Sequence, residues 1–500
     1  MSGTPAYSAK QFYLDDYART LFPLNTNKFL IQNGEERVRQ RIDQILSGQG
    51  NFLPQVRAYA AKDALHLRRT FKLDPVCEFY LYDLIYRNRN IFRRAHNKNK
   101  SHYGYRFEDG LPIPASRSYR DFKSDVFTNS LFMEHFIGFD VASYFNSLYH
   151  HDLIEWFSAR GASKLDSDGF DKFLREIASG RSLDCLPHGL YPTKMIGNDF
   201  LRFIEEAHFL KSSIVCRFMD DVYIFSDKKS DVISDFLSIQ RVLGQKSMSV
   251  NPGKTGTVKP RTNEANDGID DLKKKLLARR RRIVTTSLYD DEDEGDDEHA
   301  EMFIDVALNL SNAELRYVHG LLSQHNIEED DAELILTVMR NHAEDVKTYI
   351  PDIATRFPHL AKNVHHFCAQ ITDVGFIADL VHSLATNPAT QEYQLFWLGM
   401  MLEEYLMSSH RAAAILTALY NHQNATPISR AKILEISDQR YGLNELREGH
   451  LMSGHSDWLS WAAAVGSRSI DRAARNYRLT YFKNASPMNE LISDIVSSQP

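Results

Sequence analysis

The chain has 500 residues, 43% of them hydrophobic and 11% aromatic, which is enough apolar material for roughly two to four packed domains and excludes a disordered or low-complexity polypeptide. Its net charge of −7 hides an asymmetry: residues 1–289 carry 44 Lys and Arg against 34 Asp and Glu, a surplus of +10, while residues 290–500 carry 15 against 32, or −17. A phosphate-rich partner suits the first part and would be repelled by the second.

Residues 1 to 120 read as mainly helical, with Val38, Ile42 and Ile45 in one stretch and Phe79, Leu81, Leu84 and Ile85 in another. A basic run with interleaved rings follows: Tyr86, Arg87, Arg89, Phe92, Arg93, Arg94, Lys98 and Lys100. Cations that reach phosphates beside rings that stack on bases would make a single-stranded nucleic acid site; a solvated helix face with some rings in the core is the competing reading.

Phe136 to Asp140 is an apolar strand running to a single aspartate, followed by Ser143, Tyr144 and Phe145 and then by Leu148, Leu153, Ile154 and Phe157 at helical spacing. Leu186-Pro187-His188-Gly189-Leu190-Tyr191-Pro192 is a Pro/Gly loop that opens a helix through Thr193, Gly197 and Asn198. Ile214, Cys216 and Phe218, then Val222 and Ile224, alternate on either side of Asp220-Asp221, as a tight hairpin with two acids at its tip requires. Such paired carboxylates suit Mg²⁺, a hard cation that takes oxygen ligands and keeps waters and substrate phosphates in its shell. Asp231 is expected to cap the next helix, which carries Val232, Phe236, Ile239 and Leu243 and leads to Asn251-Pro252-Gly253-Lys254-Thr255.

Beyond Lys254 the stretch Leu272 to Arg282 is densely basic and Asp290 to Glu298 is almost wholly acidic; residues 263–298 are expected to form a basic helix and an acidic linker. Residues 299–500 show one helical period after another, as in Leu334 to Met339, Leu395 to Leu402 and Ala412 to Leu419, and an α-solenoid of HEAT type is expected there. Trp397, Trp458 and Trp461 are expected in its core. Cys77, Cys185, Cys216 and Cys368 have neither metal-ligand nor disulfide spacing, the start of the chain lacks a signal-peptide pattern, and no run of 18 apolar residues occurs. The expected setting is the cytoplasm, with no membrane partner.

Four blocks, the strand aspartate Asp140, the Pro-x-Gly loop and its helix, the aromatic-x-Asp-Asp hairpin and Asn251-x-x-Lys254-Thr255, stand in the order and spacing of the reverse transcriptases, and the chain resembles that family over about residues 130 to 256. It departs from the pattern at His188, where glutamine is usual, and at Thr193, where serine is usual. The resemblance implies an α+β fold with a right-hand-like fingers and palm polymerase core over residues 1–262. It implies Asp140, Asp220 and Asp221 as metal ligands, with Val141 beside them in the metal and nucleotide sites, and Mg²⁺, or alternatively Mn²⁺, as the cofactor. Phe145 would stand against the sugar 2′ position and select deoxynucleoside triphosphates, His188 and Gly189 would line the substrate site, and Lys254 would stabilise charge on the departing pyrophosphate. Arg117, Arg120 and Lys123 fall where the family's fingers reach the incoming triphosphate.

A reverse transcriptase core joined directly to an all-helical domain resembles in particular the abortive-infection group of bacterial reverse transcriptases, which includes AbiK, AbiA and a member carried on enterobacterial prophages. That implies antiphage defence by a homo-oligomer that makes single-stranded DNA without a template, primed by and covalently attached to a tyrosine of the protein, with a phage protein as trigger. Tyr7, Tyr13 and Tyr17, near the N-terminus, are the candidates for the primer. Two alternatives stand beside this one: a templated, retron-like enzyme with an RNA partner, which the basic stretch Leu272 to Arg282 would serve, and a non-enzymatic nucleic-acid-binding scaffold that recruits a phage protein.

Overall fold

In the computed structural model of the chain, the described residues are 7–93, 97, 99–184, 186–256, 275–276, 310–322 and 327–499. The fold is mixed α+β, with a small sheet and a helical C-terminal region. Almost all of the expected basic helix and acidic linker, and Cys185, lie outside the described residues.

Two compact units emerge. One takes residues 1–20, 42–55 and 76–269; the other takes 21–41, 56–75 and 270–500. Residues 1–262, expected as fingers and palm, are divided between the two units, with residues 21–41 and 56–75 in the second.

The first unit holds α1 (Ala9–Tyr17), the end of α2 (Asn25–Leu46), α3 (Pro75–Arg87), α4 (Ala115–Phe132), α5 (His150–Ala159), α6 (Lys164–Ile177), α7 (Tyr191–Phe200) and α8 (Lys229–Gln245). Asp231, expected as the cap of α8, lies inside its first turn, where a carboxylate faces the positive end of the helix dipole, and Lys228 stands at the cap position. Residues 1 to 120 are less helical than their apolar periods suggest. β1 (Val56–Ala61) and β2 (Leu67–Lys72) make a hairpin within the second unit, and β3 (Lys100–Tyr103), β4 (Phe107–Glu108) and β5 (Leu111–Pro112) follow. Each is short or half-exposed, so the alternation that marks a strand is weak there.

The central sheet of the first unit has the order β3-β7-β8-β6, with β6 (His135–Asp140), β7 (Ile214–Phe218) and β8 (Asp221–Ser226) antiparallel and β3 parallel to β7. Residues directly opposite in an antiparallel pair share a face. Phe136 opposite Phe225, and Cys216 opposite Tyr223, therefore turn the same way, and they pack with Phe122 and Val126 of α4. The other face meets α8, where Phe139 contacts the Phe236 ring at 5.2 Å. Gly138 belongs where it is because Tyr223 lies across it, and an added Cβ would sit 2.5 Å from that ring.

In the second unit, α9 (Asn312–Leu322), α10 (Glu329–Val338), α11 (Ile350–Arg356), α12 (Ala361–Cys368), α13 (Val374–Thr386), α14 (Glu392–Met401), α15 (Ala412–Asn421), α16 (Pro427–Leu434), α17 (Leu443–Leu451), α18 (Trp458–Gly466), α19 (Arg472–Phe482) and α20 (Pro487–Ser497) follow one another with short breaks. Helices two apart stack: α12 on α14, α14 on α16, α16 on α18 and α18 on α20 in one row, α13 on α15 and α17 on α19 in the other. Helices stacked in two rows in this way bury apolar faces between neighbours. Side chains of Thr426, Asp457, Asp471 and Ser486 cap the helices that follow them. Trp397, Trp458 and Trp461 are in the core, as expected.

Buried charge ties residues 21–41 to this unit. Glu435 accepts from the backbone N–H groups of Asn25 and Thr26 at the start of α2, at 2.9 and 2.7 Å, so its carboxylate supplies partners that the helix terminus lacks. Lys432, fully buried, pairs with Glu435 at 2.9 Å and with Glu403. Removing one member of such a set leaves uncompensated charge in the interior. Lys432→Met should lower the stability of the helical unit by about 3–5 kcal/mol, read as an earlier urea midpoint of the full chain by far-ultraviolet circular dichroism.

Candidate active site

Three strands bring the acids together. The β6–β8 register sets Asp140 directly opposite Asp221, and β7–β8 pairing sets Phe218 opposite Asp221, leaving Met219 and Asp220 as the turn. The Val141 N–H donates to the Asp220 carbonyl at 3.3 Å, which draws the turn onto the end of β6. On the far edge of β6, the segment after α8 is held by bridges between Val141 and Val250 and between Gly138 and Gly256. Asn251 N–H donates to the Asp140 carbonyl at 2.8 Å, and Lys254 follows in a short turn capped by the Asn251 side chain. Lys254 Nζ lies 2.6 Å from Asp140 Oδ2.

Asp140 is buried. Burial, the Asp140 charge and then Asp221 push the Asp220 carboxyl up to about 7, with the Asp140 carboxyl in hydrogen-bonding contact. Burial also raises Asp221, against the pull of Lys123. The hydrogen bond to Asp140 raises the Lys254 ammonium, so the lysine stays charged beside the acids. Two carboxyls in contact that hold back one proton make a site that a divalent cation would relieve, since the cation supplies the charge that the proton now supplies.

Phe145 stands in the short turn after Asp140, between Gly197 and His188. Its ring centroid is 4.8 Å from that of His188, and a Cβ on Gly197 would sit 2.9 Å from Phe145 Cζ. His188 Nε2 is 3.2 Å from Asn146 Oδ1, and Gly189 takes a left-handed φ of +94° in the loop. Thr193 turns inward, its hydroxyl donating to the Leu190 carbonyl at 2.8 Å. Lys123 on α4 lies over the Tyr119, Phe122 and Tyr223 rings, on the face of the sheet that carries Asp140 and Asp221. Arg117 instead approaches Glu108 at 3.7 Å, and Arg120 is exposed on the same helix.

Several expected residues serve the core. Tyr13 and Tyr17 are buried and the Tyr7 hydroxyl donates to Asp15 at 2.7 Å, so nearness to the N-terminus does not free a tyrosine. In the basic run, Arg87 pairs with Asp83 and Asp166, Arg89 lies over Tyr86, Phe92 is buried and Lys100 donates to the Leu210 carbonyl. Those side chains are spent on the fold; Arg94 and Lys98 lie outside the described residues.

Arg217 and Glu205 are what sequence reading missed. Arg217 is fully buried and donates from Nε and Nη2 to Glu205 at 2.8 and 2.7 Å. Burial pushes Glu205 up, but the Arg217 charge and hydrogen bonds, with His102, hold it at about 2. The signal was present: an arginine between Cys216 and Phe218 in an apolar strand cannot be buried without a partner.

No family model and no curated protein matches the chain. Among solved structures it is similar to the telomerase of Candida albicans in complex with a fragment of telomeric RNA, with a TM-score of 0.29 and 10% identity, over 79% of this chain and 66% of that one.

Among the described residues no three acidic, histidine or cysteine side chains are gathered closely enough to enclose a metal by themselves. Asp140 and Asp220 in contact nevertheless fit a cation of the Mg²⁺ type, which is commonly held by one or two carboxylates plus substrate phosphates. The Val141 carbonyl adjoins them in sequence.

The raised Asp220 acid predicts a pH dependence. The folded chain keeps a proton that the unfolded chain releases near pH 4, so without metal stability falls as pH rises from about 4 through 7, and the loss is complete above the folded pKa. Asp220→Asn should flatten that fall and melt a few degrees higher than the parent chain at about pH 8. Added Mg²⁺ should raise the parent's melting temperature there and leave the variant's nearly unchanged, as read by thermal unfolding.

Proposed function

We propose that the chain is a nucleotidyltransferase of the reverse transcriptase kind that polymerises deoxynucleotides. The observation that carries this reading is the register that brings Asp140 opposite Asp221 with Asp220 in the adjoining turn. A cation held by Asp140 and Asp220 would lower the pKa of an attacking hydroxyl and neutralise the leaving oxygens. The chain's own part is positioning. Through that cation Asp140 and Asp220 would position the α-phosphate for attack by a 3′ or tyrosine hydroxyl, which gives up its proton to solvent and forms one P–O bond as the bond to pyrophosphate breaks. Lys254, already paired with Asp140, would stabilise charge on the departing pyrophosphate, and Lys123 adds positive charge on the same face. Phe145, wedged between Gly197 and His188, presents a ring that a ribose 2′-hydroxyl would meet.

The finer reading is antiphage abortive infection: template-independent synthesis primed by a tyrosine of a homo-oligomeric enzyme, with a phage protein as trigger. What supports it is the joining of such a core to a helical-repeat unit, together with the motif resemblance. The helical repeats offer a surface for a protein partner. Among the described residues no helix is long and apolar enough to cross a membrane.

The test is to incubate the purified full chain with Mg²⁺ and labelled deoxynucleotides, with and without template or RNase, and to run the product on a denaturing protein gel. Label should remain with the polypeptide without template. RNase-sensitive, template-dependent product would establish a retron-like enzyme instead, and no incorporation under any condition would leave a binding scaffold. Asp220→Ala should cut incorporation by roughly a thousandfold or more while the chain stays folded. Phe145→Ala should raise ribonucleotide use relative to deoxynucleotide by about tenfold or more, measured as the ratio of kcat/KM values.

A further inference from the structure

The hairpin turn holds a conformation that its residue resists. Met219 has φ of +56°, in the left-handed region that an L side chain disfavours, at a cost of about 1–2 kcal/mol. Its peptide groups are buried as well, and each has one specific partner. The N–H donates to Asn198 Oδ1 at 3.1 Å, and the carbonyl accepts from Arg217 Nη1 at 2.9 Å. Arg217 is in turn clamped by both oxygens of Glu205, and His102 Nδ1 lies 3.2 Å from Glu205 Oε1. Gly104, at φ +107°, makes room for Asn198: a Cβ there would sit 2.8 Å from Asn198 Oδ1. The turn is thus gripped from both sides by side chains on three elements and a loop.

An ion pair with no exposure is a poor way to stabilise a fold, because the desolvation of both charges offsets their attraction, and an apolar pair of similar volume commonly does as well or better. What an apolar pair cannot do is donate a hydrogen bond to the Met219 carbonyl. We propose that Arg217, braced by Glu205 and acting with Asn198, is the positioning device of this hairpin: it locks Met219 in the left-handed turn so that the Asp220 carboxylate is presented to Asp140, and it thereby sets both divalent-cation affinity and the rate of transfer. The part that concerns transfer rests on the polymerase reading above; the part that concerns the cation does not.

The experiment uses the full chain carrying Arg217→Met with Glu205→Leu, which removes the charges and the donor while keeping apolar volume. Its melting temperature should match or exceed the parent's. Mn²⁺ binding, followed by the electron paramagnetic resonance of the free ion, should weaken about tenfold or more. In the incorporation assay kcat should fall by about 10- to 100-fold with KM for the nucleotide changed less than about threefold, the pattern of a lost positioning contact rather than lost substrate binding. Asn198→Ala, which removes the partner of the Met219 N–H, should weaken Mn²⁺ binding in the same direction and decides the matter if the double variant does not fold. Folded variants that bind Mn²⁺ and incorporate nucleotide as the parent does would overturn the proposal. If the parent itself incorporates nothing, the polymerase reading fails, and the Mn²⁺ titrations still decide whether Arg217 positions the acids.

Discussion

Like charge forced together governs the first unit. Asp140, the last residue of β6, faces Asp221, the first of β8, a third acid, Asp220, sits in the adjoining turn, and burial makes the ionised forms of Asp220 and Asp221 expensive. The surrounding structure answers that repulsion in three ways. The Asp220 carboxyl is shifted toward its protonated form, an ammonium from Lys254 pairs with Asp140, and Lys123 acts on Asp221 from across the sheet face. Each answer is one that a cation and a triphosphate could displace, and on that possibility the proposed function rests.

Elsewhere in the protein, buried charge appears where the backbone leaves regular structure. Arg217 supplies a donor to the carbonyl of a left-handed turn. Arg447, fully buried, donates to the Leu434, Ile436 and Asp438 carbonyls as the chain leaves α16, satisfying groups that a helix end would otherwise strand. Glu435 does the converse at the start of α2. In each case a long or branched ionic side chain reaches backbone groups that no strand or helix partner can reach, and it is paid for locally by a second charge or by several hydrogen bonds.

How much of this was legible in the sequence varies with the kind of signal. The hairpin around Asp220 and Asp221 was legible because period-two alternation marks its two strands, the strand to Asp140 because an apolar run ends there in a single acid, and the helices of the second unit because their apolar periods are long and regular. The hairpin of β1 and β2 was not: Val56–Ala61 and Leu67–Lys72 are half-exposed and rich in Ala and Arg, so their pattern is faint. The basic run from Tyr86 to Lys100 read equally well as a nucleic acid site or as a fold component, since composition does not say that Asp166 comes to meet Arg87 or that Phe92 turns inward. Tyr13 and Tyr17 illustrate the same limit, because nearness to a terminus says nothing about packing.

What the sequence alone determined is the local chemistry: that one strand runs to Asp140, that a hairpin carries Asp220 and Asp221 near its tip, and that a helical array follows, all consequences of side-chain periodicity within a few turns of chain; the structure keeps only Asp220 in the turn and makes Asp221 the first residue of β8. Only the tertiary structure decided that Asp140 lies opposite Asp221, that Arg217 finds Glu205, and that residues 21–41 and 56–75 belong with the helical unit. Those outcomes depend on pairing between residues far apart along the chain, and a buried charge takes whichever partner the packing brings within hydrogen-bonding distance.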